Sequence, residues 1–105
     1  MKIAITSAGN TLESIMDQRF GRCSYFVVYN TESKSVEYIP NPNKELPGGA
    51  GPASVQLLAE HGVQKIVSGD FGLKVKPLLD SLKIQMIVMK DSQKTVSEII
   101  QSLNH

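Results

Sequence analysis

The chain has no tryptophan, only two histidines and a single cysteine, Cys23. A lone thiol excludes an intramolecular disulfide and sits most naturally in a reducing compartment. It also excludes a self-sufficient iron–sulfur centre, which takes about four thiolates. Long hydrophobic runs are missing: no stretch approaches the ~20 apolar residues of a membrane span. The opening run, Met1 to Ser7, is too short for a signal peptide, so a cytoplasmic protein without a membrane partner is expected. Charge of one sign is missing as well. With 11 basic and 10 acidic residues the net charge is +1, which gives no electrostatic case for nucleic-acid binding.

What remains is the composition of a packed domain: 105 residues, 41% hydrophobic and 20% charged. Residues 1–105 are expected to form one domain. Residues 2–6 (Lys-Ile-Ala-Ile-Thr) predict a buried strand, stopped by the turn formers Ser7 to Asn10. A long connection, 11–24, leads to a second strand at Tyr25–Asn30. Thr31–Lys34 turns the chain into Ser35–Ile39, whose alternating pattern suits a half-buried hairpin partner.

Residues 40–52, rich in Pro, Asn and Gly, precede a helix with Ala53, Leu57 and Leu58 on one face. Gly62 stands where a helix-ending glycine belongs, because it enters the left-handed region cheaply. A short strand, 63–67, ends in Ser68-Gly69-Asp70-Phe71-Gly72. Lys74–Leu82 reads as a helix with Pro77 in its first turn. Ile84–Met89 is the most hydrophobic strand. A last helix carries Val96, Ile99, Ile100 and Leu103 on one stripe, with Asp91 or Ser92 as its expected cap.

The order β-β-β-α-β-α-β-α predicts an α/β fold: a mixed five-stranded sheet, the second strand antiparallel to the first, with helices on its faces. Ligands in such sheets bind beyond the carboxyl ends of the strands, where the strand order reverses. The Ser7–Asn10, Gly48–Gly51 and Ser68–Gly72 turns should lie along that edge.

The densest chemistry is in Asp17-Gln18-Arg19-Phe20-Gly21-Arg22-Cys23-Ser24-Tyr25-Phe26. A thiol ligates metal only as the thiolate, and neighbouring cations favour that form. Cys23, with Arg19 and Arg22 nearby, is therefore a candidate soft-metal or anion site. The alternative is a loop whose cysteine packs as a small hydrophobe.

That segment, Gly49-Ala50-Gly51 with Gln56-Leu57-Leu58-Ala59-Glu60-His61-Gly62-Val63, and Gly69-Asp70-Phe71-Gly72-Leu73-Lys74 together resemble the dinitrogenase iron–molybdenum cofactor biosynthesis family. The resemblance covers nearly the whole chain and is closest to the small stand-alone members. It implies a ribonuclease-H-like three-layer fold. It also implies non-catalytic binding or carriage of a preformed iron–sulfur or molybdenum–iron–sulfur cluster, bound transiently and exchanged with a cluster-assembly or cluster-receiving protein. Nitrogenase-associated carriers often have His immediately before the Phe-Gly pair; Arg19 stands there in this chain.

On that reading Cys23 is the candidate metal ligand, and Arg19 and Arg22 neutralise the anionic cluster. Phe20 and Gly21 belong to the same binding segment. Gly49 and Gly51 expose backbone N–H groups at a helix start, and Gly69, Gly72 and Lys74 contribute a second turn and a cation. Each glycine has an alternative use as a turn former or packing residue. His61, at a helix end, suits the dipole there better than a metal, and His105 is expected to be mobile. A monomer or weak homodimer is expected.

Two other functions stay open. One is a module for a small anionic ligand or protein partner, which needs no thiol. The other is a nuclease, which needs clustered carboxylates for its cations. The first strand carries none, and Asp17 and Asp70 are the only acids expected near the edge.

Overall fold

The computed structural model describes residues 1–72, 74–91 and 93–103. Strands β1 (Lys2–Ser7), β2 (Tyr25–Asn30), β3 (Val36–Pro40), β4 (Val63–Ser68) and β5 (Gln85–Val88) alternate with helices α1 (Ala50–Glu60), α2 (Lys76–Ser81) and α3 (Val96–Leu103) in the expected order. They build a five-stranded sheet in the order β3-β2-β1-β4-β5. β2 runs antiparallel to β1 and to β3, while β4 is parallel to β1 and to β5. β1 is thus the junction between an antiparallel hairpin and two βαβ crossovers. Both its faces are covered, which is why Ile3 through Ser7 are buried without a break.

Two cores flank the sheet. Val55, Leu58 and Leu79 of α1 and α2 pack with Ala4, Phe26, Val28 and Ile66 on one face. Val96, Ile99 and Ile100 of α3 pack with Ile3, Ile5, Val27 and Val67 on the other. Even-numbered positions of β1 and β2 therefore face α1 and α2, and odd-numbered ones face α3, as the two-residue strand period requires. The result is the three-layer α/β arrangement expected from the sequence.

Helix ends account for most departures from the sequence reading. α1 begins at Ala50, ahead of the expected Ala53, because Gly49 enters the left-handed region (φ 74°) and starts it. Gly62 (φ 76°) ends the same helix, as expected. The Lys2 ammonium donates to the His61 carbonyl (3.1 Å), so a lysine supplies a cation at that carboxyl end. α2 is shorter than the predicted 74–82, with Pro77 in its first turn.

α3 is not capped by Asp91, whose carboxylate instead accepts from the Gln93 amide (3.0 Å). The cap is Thr95. Its hydroxyl accepts from the Glu98 amide (3.1 Å), and Glu98 accepts from the Thr95 amide (3.0 Å), a reciprocal capping box. Ser92 and His105 lie outside the described residues.

Candidate cargo cleft

The long connection after β1 explains how distant motifs meet. The Asp17 amide donates to the Thr6 carbonyl (3.0 Å) at the carboxyl end of β1. Arg19 then pairs with Asp70 in a short parallel bridge, and the Phe20 amide donates to the Asp70 carbonyl (3.1 Å). The first motif is in this way laid against the turn that follows β4. Gly69 permits the approach, since a Cβ there would collide with the Gln18 side chain and lie 2.9 Å from its Cα.

Phe20 turns inward and is only 2% exposed. Its ring packs between Phe26 and Phe71, with centroids 5.8 and 5.4 Å away. Burial of a phenylalanine contributes about 1.5–3 kcal/mol. The next residue must be small: a Cβ on Gly21 would lie 2.7 Å from the Gly51 nitrogen and 2.9 Å from the Ala50 carbonyl carbon. The first motif therefore rests directly on the start of α1.

Asn41 fixes the third wall. Its side-chain amide donates to the carbonyls of Gly21 (3.0 Å) and Cys23 (2.9 Å), while its oxygen accepts from the Asn43 amide (2.9 Å). Arg22 donates to the carbonyls of Lys44 and Leu46. The Lys44 ammonium reaches back to the Ser24 hydroxyl (2.9 Å). In the sequence Asn41 is one more polar residue of the loop-forming stretch 40–52; its burial, 8% exposed, marks the larger role.

Between these walls lies a cleft of about 610 Å³, lined by Gly21, Arg22, Gly49, Ala50, Gly51, Pro52, Phe71, Gly72, Lys74 and Val75. That volume falls within the usual range of ligand sites, about 300–1,000 Å³. One wall is the start of α1, which has no side-chain cap and no acid in its first turn. Unpaired amides at a helix start favour anions, and Arg22 and Lys74 add two positive charges. Phe71 and Val75 supply an apolar floor. A smaller groove of about 420 Å³ adjoins it, lined by Gly69, Asp70, Phe71, Gly72, Lys76, Met86, Val88 and Lys90.

Of the residues singled out in the sequence, Gly21, Arg22, Gly49, Gly51, Gly72 and Lys74 meet in the larger cleft, and Gly69 lines the smaller one. Arg19 does not line either; its exposed guanidinium pairs with Asp17 (3.4 Å). Phe20 and Cys23 lie beneath the surface. Cys23 is fully buried, and its thiol donates to the Phe20 carbonyl (3.3 Å). Burial first, and then the Asp17 carboxylate, push that thiol up to about 12. This differs from the picture of a thiolate held between two guanidinium groups. Arg22 is engaged with loop carbonyls and Arg19 with Asp17, and the packing is that of a small hydrophobe.

Among the described residues no three carboxylate, imidazole or thiol groups gather around a point where one metal ion could sit. Asp17 accepts from the Arg19 amide (2.9 Å) and Asp70 from the Gly72 amide (3.0 Å), so both carboxylates serve their own turns. Among the described residues no helix is long and apolar enough to cross a membrane.

Comparison with known proteins agrees with this geometry. The apo orange protein of Desulfovibrio gigas superposes with a TM-score of 0.90 at 31% identity, over 97% of this chain and 85% of that one. A Thermotoga protein provisionally named NifB gives 0.82 at 31% identity, again over 97% and 85%. An uncharacterised protein of Methanocaldococcus jannaschii is 32% identical over 104 residues, covering 96% of this chain and 83% of the relative. The model of the dinitrogenase iron-molybdenum cofactor family matches residues 1–105, and the chain belongs to that family.

Proposed function

We propose that the protein binds a preformed, anionic iron–sulfur or molybdenum–iron–sulfur cluster in the larger cleft and carries it, without catalysis, to a receiving protein in the cytoplasm. The observation that carries this reading is the composition of that cleft. It joins an uncapped helix start, two cations and an apolar floor, all brought together by the three segments in which the sequence resembles the family. Family membership supplies the class of cargo. The orange protein is described in an apo form, a state defined by a separable ligand.

A carrier must hold a finished cluster and let it go. Backbone N–H groups and cationic side chains do this better than thiolates, because charge-assisted hydrogen bonds break without ligand exchange at a metal. Gly49, Gly51 and Gly72 let the main chain approach the cargo, and Arg22 and Lys74 offset its charge. Cys23 holds the cleft from beneath. Direct ligation by Cys23 requires the turn at residues 20–23 to open.

The test is an anaerobic titration with a purified molybdenum–iron–sulfur cluster, followed by visible absorption and metal analysis. Saturable one-to-one binding that weakens with salt and is lost with Arg22→Ala, Lys74→Ala is expected. Binding unaffected by that double substitution would remove the cleft from the reading. Saturable binding of inorganic phosphate in place of the cluster would favour a small-anion module.

A further inference from the structure

We infer that the outer edge of β5 and the groove beside it dock an extended, acidic segment of a partner protein by strand addition. The inference does not depend on the cargo reading, and its test uses the protein without cargo.

β5 ends the sheet and pairs only with β4 among the described residues. The Met89 amide donates to the Ser68 carbonyl (2.9 Å), so Met89 directs its backbone toward β4. Successive residues of a strand direct N–H and C=O to opposite sides. Gln85 and Ile87 therefore also face β4, and Met86 and Val88 turn theirs outward. The side chains of these same two residues line the 420 Å³ groove. Backbone hydrogen-bonding groups and an apolar side-chain trough thus coincide along one edge, which is the arrangement an added strand uses.

The two edges of the sheet are treated differently. β3 ends in Pro40 and carries Glu37, both devices that discourage pairing. β5 has neither a charge nor a proline, and Val88 is 49% exposed. The strand is four residues long, and its apolar edge offers a surface that a partner strand can cover.

Charge selects the occupant. Lys76 and Lys90 flank Met86 and Val88 in the groove. Lys76 is shared with Asp80 (2.9 Å), and among the described residues the Lys90 ammonium reaches a carbonyl, that of Gly69 (3.5 Å). The lining sets these two lysines against one acid, Asp70, whose carboxylate accepts from the Gly72 amide. The groove therefore suits a strand with apolar residues opposite Met86 and Val88 and a carboxylate beyond them. A second copy suits it less. Its own β5, Gln85–Val88, carries no carboxylate to set against these lysines.

The experiment is a titration of the isotope-labelled full chain with a short capped peptide carrying Val, Ile, Glu and Glu at alternate positions and Ser or Thr between them. A matched peptide has Lys in place of Glu. The acidic peptide should shift amide resonances of Phe71 and of residues 86–90, and the lysine peptide should not. Val88→Pro deletes an outward N–H and leaves the β4 ladder intact, so affinity should fall at least about tenfold in a folded protein. Should that variant fail to fold, Val88→Lys tests the trough instead. Lys90→Glu should reverse the preference between the two peptides. No shifts along β5, affinity unchanged by Val88→Pro or Val88→Lys, or concentration-dependent self-association through β5 in place of peptide binding would each overturn the inference.

Discussion

Gly21 lies with its Cα against the backbone of Gly51, so close that a methyl group on Gly21 would sit 2.7 Å from the Gly51 nitrogen. Two segments thirty residues apart in sequence number therefore share one contact surface made only of main chain. Gly21→Ala must push the start of α1 away from the first motif. We expect a loss of about 1–3 kcal/mol, the usual cost of overpacking, measured by denaturant unfolding. Cargo affinity should fall as well in the folded variant, because the displaced helix start is a wall of the cleft.

Gly49 and Gly62 form a matched pair. Both adopt positive φ (74° and 76°), and a Cβ on either would meet nothing within 4 Å. Gly49→Ala and Gly62→Ala should cost similar stability, about 1–2 kcal/mol for a left-handed non-glycine residue. Only Gly49 lines the cleft. Titration with cluster should show weaker binding for Gly49→Ala and unchanged binding for Gly62→Ala. Equal affinities would reduce Gly49 to a turn former.

Cys23 gives a prediction with a sign. Burial raises its folded-state pKa from 9.0 to about 12. The folded state holds the proton more tightly than the unfolded chain does. The thiol's contribution is therefore fully present below about pH 9 and is lost as pH rises toward 12. Cys23→Ala should flatten that part of the stability profile. At pH 8 the native thiol should resist iodoacetamide and react once the chain is unfolded. Cys23→Ser should keep cluster affinity within about threefold of wild type, a difference below 1 kcal/mol. A loss of tenfold or more in the folded variant would return the thiol to the ligand set.

The fold was legible because its signals are local. The alternating Ser35–Ile39 segment, the apolar β1 and the helix-ending Gly62 each carry a backbone requirement in a few neighbouring residues. The cap of α3 was legible too, in Thr95-x-x-Glu98, but Asp91 and Ser92 offered an equally good capping residue earlier. The site was legible only in part. Gly21, Arg22, Gly49, Gly51, Gly72 and Lys74 are marked by residue type. That Cys23 lies under the cleft follows from the turn that its thiol closes on the Phe20 carbonyl and that Asn41 holds, and no local pattern encodes that. Asn41 carries no such mark, because its partners, the carbonyls of Gly21 and Cys23, are remote in sequence and have no side-chain signature.

Phe20 should be the most sensitive position of the first motif. It fills the space between Phe26 and Phe71 and is almost wholly buried. Phe20→Ala should destabilise by about 3–5 kcal/mol, and Phe20→Leu by less, in thermal or denaturant unfolding. A loss below 1 kcal/mol for the alanine variant would show that the connection 11–24 can reseat without it.

Arg22 joins two roles that substitution can separate. Arg22→Lys keeps the charge and loses the fork that reaches the Lys44 and Leu46 carbonyls. Protease digestion should cut the 41–49 loop faster in this variant, while the salt dependence of cluster binding stays near wild type. Arg22→Ala should show both the faster cleavage and a shallower salt dependence.

The bonds that hold the cleft together run mostly to main-chain atoms: Phe20 to the Asp70 carbonyl, Asn41 to the carbonyls of Gly21 and Cys23, and Gly21 against α1. Main chain is the same whatever side chain it bears. Mutation can therefore rewrite the cleft's lining, at Arg22 or Lys74 for instance, without disturbing the frame that presents it. Such a separation makes the scaffold readily evolvable. The orange protein shares 31% of its residues with this chain yet superposes with a TM-score of 0.90, a pairing such a frame permits, and what the cleft would hold is then set by a few exposed positions.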